Sequence, residues 1–163
     1  MYATRAGPER QWLPVSMQRG KPMDTLSKKN VVCDTPSPGV RVVRFVRPDL
    51  RPQLYDQEAI TDCSLYRELA AAALADLAAG ETAVINFGLI DWFPTAFYRL
   101  LLKVREAVQA RNARLLLCCF TPNVRECFDL MGGGKLFEIR ATEANAVCAA
   151  GKEDEQGRGK RHA

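Results

Sequence analysis

Histidine is almost missing from this chain: one residue in 163, His162, lies among the last few residues. Most imidazole chemistry is thereby excluded from any folded part, including general acid–base catalysis by histidine and the activation of a Ser or Cys nucleophile. Metal binding loses its commonest ligand, and the six cysteines do not replace it. Cys33, Cys63, Cys118, Cys119, Cys127 and Cys148 contain no Cys-x-x-Cys pair. Neither a metal nor a cofactor is expected, and the cysteines read as reduced core thiols of a cytosolic protein. The chain also lacks an apolar run long enough to span a bilayer. Its first residues lack the apolar centre of a signal peptide, because Pro8, Pro14, Gly20 and Pro22 interrupt them. The expectation is a cytoplasmic protein with no direct membrane insertion.

Excess charge of one sign is missing from the middle. The net charge of +4 comes from the ends, since the stretch from Val31 to Ala150 holds 13 basic and 14 acidic residues. A nucleic-acid binder ordinarily carries a basic stripe on a folded face, so nucleic acid is not an expected partner. Residues 1–29 read as a disordered basic leader, 30–150 as one folded domain, and 151–163 as a disordered charged tail. With 47% apolar residues, that domain has enough to build a core.

Apolar spacing gives the elements. Asn30 to Cys33 and Val40 to Val46 are β-branched runs around the turn residues Pro36 to Gly39, which predicts a hairpin. Leu65, Leu69, Ala73 and Leu77 recur at helical spacing between Asp62 and the stop residue Gly80. Thr82 to Phe87 predicts a buried strand. Phe93, Phe97, Leu100, Leu101, Val104 and Val108 predict a helix over 94–111, with Pro94 in its first turn and Asn112 at a left-handed exit. Arg114 to Phe120 is another buried strand. Thr121 and Pro122 start a short helix whose apolar face is Val124, Cys127, Phe128 and Met131, stopped by Gly132 to Gly134. Leu136 to Ile139 is a last strand, and Thr142 caps a final helix through Val147. This order predicts an α/β fold: a small, mostly parallel sheet with an antiparallel edge hairpin and about four helices, mainly on one face.

Candidate catalytic groups are few. Gly132-Gly133-Gly134-Lys135 follows a helix and precedes a strand, the reverse of a phosphate-binding loop, and no Ser or Thr follows the Lys. Asp62 with Glu68, and Glu126 with Asp129, have the spacing of solvated helix faces. No catalytic residue is assigned and no enzyme is expected. The unusual segment is Gly88-Leu89-Ile90-Asp91-Trp92-Phe93-Pro94-Thr95, which sets two large aromatics at a strand-to-helix corner. Binding sites gather at the carboxyl ends of strands in such sheets.

The strand TAVINFGLID ending in Asp91, the helix after it, RLLLCCF and TPNVRECFDLMGGGKLFEIRATEANAV together resemble the STAS domain of bacterial anti-sigma factor antagonists. The resemblance spans about Val40 to Ala150. It implies a non-catalytic domain that regulates transcription by binding a kinase-like anti-sigma factor. The contact patch it implies is Asp91, Trp92, Phe93, Pro94 and Thr95. Family members place Asp-Ser-Ser-Gly or Asp-Ser-Thr-Gly there, and phosphate on the hydroxyl breaks the complex. Here Trp92 and Phe93 stand at the hydroxyl positions and Pro94 replaces the Gly, so the usual phosphoserine switch is absent and Thr95 is the nearest phosphorylatable group. STAS-like domains also serve as accessory or ligand-binding subunits of membrane transport complexes, which is the alternative reading.

Overall fold

A computed structural model describes residues 29–48 and 63–158, with side chains as far as Gly151. The leader and the last residues therefore lie outside the described part, as does Asp62.

Five strands form one sheet in sequence order: β1 (Val31–Ser37), β2 (Val40–Phe45), β3 (Thr82–Asn86), β4 (Arg114–Cys118) and β5 (Glu138–Arg140). β1 and β2 are antiparallel, and every later neighbour is parallel, as the alternating pattern requires. Among the described residues the helices are α1 (Ser64–Leu74), α2 (Thr95–Gln109), α3 (Pro122–Leu130), α4 (Gly133–Leu136) and α5 (Glu143–Arg158).

Both faces of the sheet are covered, so residues that alternate along a strand are buried in turn. On one face Val43, Phe45, Ala83, Ile85, Phe87 and Leu117 pack under α1, α2 and α3. On the other, Val40, Val42, Val84, Leu116 and Cys118 meet Ala146 and Ala150 of α5. Two alanines let that helix lie close to the strands. Among the described residues the helices are thus mainly on one face, with α5 on the second.

Local chemistry accounts for most boundaries. Thr121 caps α3 by accepting from Val124 N (3.4 Å), with Pro122 directly after it. Thr142 caps α5 by accepting from Asn145 N (3.1 Å). Asn112 has φ 55°, the expected left-handed exit.

Several boundaries differ from the sequence reading. β1 continues through Pro36 to Ser37 with a register shift after Asp34, leaving Pro38 and Gly39 as the turn. An edge strand tolerates Pro because its outer N–H groups need no partner. α1 ends at Leu74, not near Gly80: Asp76 turns left-handed (φ 52°), and Arg111 donates to the Leu74 carbonyl. Leu77, beyond the helix end, is still buried as part of the main core. Pro94 is the N-cap of α2 and not its first helical residue. Cys127 is exposed, because α3 buries only the line Val124 and Phe128. Gly132 (φ 78°) stops α3, and the next residues form the unforeseen α4, which takes Leu136 out of β5 and leaves it exposed. The backbone of α5 stays helical past Val147 to Arg158.

Candidate functional site

The corner between β3 and α2 is built from its own turn chemistry. Asn86, the last residue of β3, accepts from Gly88 N through Oδ1 (2.8 Å), and Ile90 N donates to the Phe87 carbonyl (2.8 Å), closing a tight turn. The turn pushes Leu89 outward, 54% exposed, and drives Ile90 fully into the core. Thr121, the α3 cap, also donates to the Ile90 carbonyl (3.4 Å), tying the corner to the next crossover.

From there the side chains alternate between solvent and core. Asp91 is exposed, Trp92 is half-buried against the main core, Phe93 is buried, Pro94 is half-buried and Thr95 is exposed on the first turn of α2. Phe93, expected in the contact patch, is instead 7% exposed, with its ring 5.2 Å from that of Phe97, 5.4 Å from Phe128 and 6.1 Å from Phe87. An aromatic side chain with that much ring surface gains more from this cluster than from water. The surface of the corner therefore consists of Leu89, Asp91, Trp92, Pro94 and Thr95. Leu89 escaped the sequence reading, although a Gly-Leu pair directly after a buried strand was the available signal.

A polar network supports the corner from the opposite face of the sheet. Arg44, Asn86, Cys118 and Arg140 are register partners across four strands. Arg44 donates to both carboxylate oxygens of Glu143 (2.7 and 2.5 Å) and also to Asp34. Asn86 donates to Glu143 through Nδ2 (2.6 Å) while its Oδ1 holds Gly88. The Arg44 guanidinium, helped by Asn86 against the opposing effect of burial, holds the Glu143 carboxyl below the usual carboxylate range. These partners lie 99 and 57 residues apart in sequence, and no local pattern announces them.

The remaining polar candidates are structural. Glu68 accepts from Asn30 N (2.6 Å) and Nδ2 (2.9 Å), and Asp129 pairs with Arg125 (2.7 Å) one turn away. Among the described residues, no three His, Cys, Asp or Glu side chains come together in a way that could hold a metal ion. No helix among them is long and apolar enough to cross a membrane. Lys135 sits in the last turn of α4, with Gly132 ending α3 and Gly133 and Gly134 forming the first turn of α4.

The arrangement of strands and crossovers matches solved structures. A STAS domain protein from Planctomyces limnophilus superposes with a TM-score of 0.57 over 74% of this chain and 97% of its own, at 17% identity. The chain has the STAS fold. The anti-sigma factor antagonist SpoIIAA, in its unphosphorylated form, gives a TM-score of 0.52 at 19% identity, covering 72% of this chain and 92% of that one. By sequence, this STAS domain is 28% identical over 96 residues to "Putative anti-sigma factor antagonist BtrV" of Bordetella bronchiseptica, a match covering 58% of this chain and 82% of that protein. No family model matches the chain.

Proposed function

We propose that this STAS domain is a non-catalytic regulator of transcription that binds a protein partner, a kinase-like anti-sigma factor, through the β3–α2 corner. The observation that carries the reading is the corner itself. It presents an apolar Leu89, a half-buried Trp92 and two polar neighbours, Asp91 and Thr95, on a frame fixed from both sides of the sheet. Apolar and aromatic anchors ringed by polar groups are the usual composition of an interface centre. The similarity to a protein named as an anti-sigma factor antagonist supports the choice of partner class.

The aromatic pair changes how such a contact is controlled. Neither Trp92 nor Phe93 carries a hydroxyl, and an aromatic ring of this kind cannot accept phosphate. Thr95 is exposed at a helix N-terminus, where added negative charge is favoured by the helix dipole. The domain therefore binds constitutively or is released by phosphate on Thr95.

Affinity purification of the tagged protein from its own cells, with mass spectrometry of partners and phosphosites, tests this. Recovery of a kinase-like anti-sigma factor that Trp92→Ala no longer captures is the expected result. An anchor of this kind contributes about 2 kcal/mol, a loss of roughly 30-fold in affinity. Capture of that factor equally well by Trp92→Ala and Thr95→Glu would overturn the assignment of the corner.

A further inference from the structure

Adjacent residues of a strand ordinarily point to opposite faces of the sheet. At the end of β4 this alternation fails. Leu117 and Phe120 pack in the main core, whereas Cys118 and Cys119 both pack on the opposite face, with Val42, Val84, Leu116 and Ala146 under α5. The cause is the backbone of Cys119, whose φ is 62°. Among the described residues, the other non-glycine residues with positive φ are Asp76 and Asn112, types that tolerate this conformation through local hydrogen bonds, whereas cysteine is not such a type. The result is two unbridged thiols side by side on one face, Cys118 fully buried and Cys119 partly exposed.

We propose that Cys118 and Cys119 are a redox modification site at which a peroxide closes a vicinal disulfide, and that closure displaces the β3–α2 corner. The first half stands on the geometry of the two thiols, and its regulatory meaning rests on the reading of the corner as the partner patch. Cys119 reacts first because it is the accessible thiol. Its thiolate attacks one peroxide oxygen, the O–O bond breaks, the departing oxygen leaves as water after protonation, and Cys119 becomes a sulfenic acid. The Cys118 sulfur then displaces the sulfenic hydroxyl, which leaves as a second water with the Cys118 proton. Two thiols and one hydrogen peroxide thus give one disulfide and two waters, with both sulfurs oxidised and both peroxide oxygens reduced.

Such a bond is suited to a reversible role. Cα atoms across one trans peptide are about 3.8 Å apart, less than the roughly 4.4–6.8 Å that disulfides prefer. A strained disulfide is readily reduced again, which separates labile bridges from structural ones. Its route to the corner is short. The Cys118 carbonyl accepts from Phe87 N (2.9 Å), and Cys119 Cβ lies 3.6 Å from where a Cβ on Gly88 would stand. Closing the ring turns the peptide between the two cysteines, and the carbonyl that anchors Phe87 moves with it.

The test uses the reduced full chain treated with hydrogen peroxide, alkylated and digested with trypsin. Cleavage after Arg114 and Arg125 releases Leu115 to Arg125, which holds Cys118, Cys119 and no other cysteine. The expected peptide is lighter by two hydrogens, resists alkylation and is restored by dithiothreitol, while Cys118→Ser accumulates a sulfenic acid on Cys119 that dimedone traps. Amide resonances of Phe87 and Gly88 shift on oxidation of the wild type and not of Cys118→Ser. Irreversible oxidation of Cys119 with Cys118 still a free thiol, or bridging of either to Cys127 or Cys148, would overturn the site, and unmoved Phe87 and Gly88 amides would overturn the coupling. Neither readout involves a partner protein, so a failure of the partner assignment is separately visible.

Discussion

Replacing Gly133 with alanine sets two effects of opposite sign against each other. Glycine inside a helix costs roughly 0.5–1 kcal/mol relative to alanine, so the substitution gains at most about that much, and less in a helix of one turn. Against this, a Cβ at Gly133 would stand 2.2, 2.3 and 2.6 Å from three ring carbons of Phe128, where ordinary contact begins at 3.4 Å. The ring must retreat by more than about 1 Å, and van der Waals repulsion makes any smaller adjustment ineffective. There is little room to retreat: Phe128 is fully buried, with ring centroids of Phe120 at 5.0 Å, Phe93 and Phe137 at 5.4 Å, and Tyr98 at 5.6 Å. Overpacking of a filled core costs about 1–3 kcal/mol, so the clash outweighs the helix gain and the net loss is about 1–2 kcal/mol. In a chain of this size that lowers Tm by roughly 5 °C. Urea unfolding of wild type, Gly133→Ala, Phe128→Leu and the double variant measures it. The double variant is expected to be more stable than the sum of the singles by at least about 0.5 kcal/mol, because the smaller side chain makes room. Gly134→Ala is the control, since the one contact of its Cβ tighter than 3.4 Å is Asp129 Oδ1 (2.8 Å), the end of a side chain that can swing away. Wild-type stability for Gly133→Ala, or strict additivity with Phe128→Leu, would refute the packing argument.

Other consequences are equally direct. Phe93→Ala empties a site in the aromatic cluster and should cost about 3–5 kcal/mol, whereas Trp92→Ala at the half-buried neighbour should cost less than half of that; comparable losses in urea unfolding would contradict the placement of these two rings. Glu143→Gln weakens the bonds from Arg44 and Asn86, and partial exposure limits the loss to about 1–2 kcal/mol near pH 7. Because folding lowers the Glu143 pKa, its contribution is present above the unfolded value and is lost as pH falls through the folded one. The stability gap between wild type and Glu143→Gln should therefore be widest near neutrality and close under acid conditions, and a gap independent of pH would show that the charge contributes nothing. Thr121→Ala removes the cap of α3 and the bond to the Ile90 carbonyl, with an expected loss of about 1 kcal/mol. If it leaves stability unchanged, the link between α3 and the corner is not energetic.

Features that depend on near neighbours were legible in the amino-acid order. Strands and helices show as apolar periods, Thr121 with Pro122 marks a helix start, and Asn112 and Gly132 mark helix exits, because caps and left-handed turns are set by the residues that make them. The run Gly88 to Thr95 was recognisable as a corner for the same reason. Tertiary structure decided what depends on distant partners. It turned Phe93 inward among Phe87, Phe97 and Phe128, left Leu89 outside, and stopped α1 at Leu74 where Arg111 reaches its last carbonyl. It joined Arg44, Asn86 and Glu143, and it placed Cys118 and Cys119 on one face against the strand alternation. The physical reason is that a periodic pattern fixes which residues are apolar, but burial and pairing depend on what the crossovers bring alongside. A ring such as Phe93 goes where the largest apolar surface awaits it, and that surface exists only once the helices have packed on the sheet.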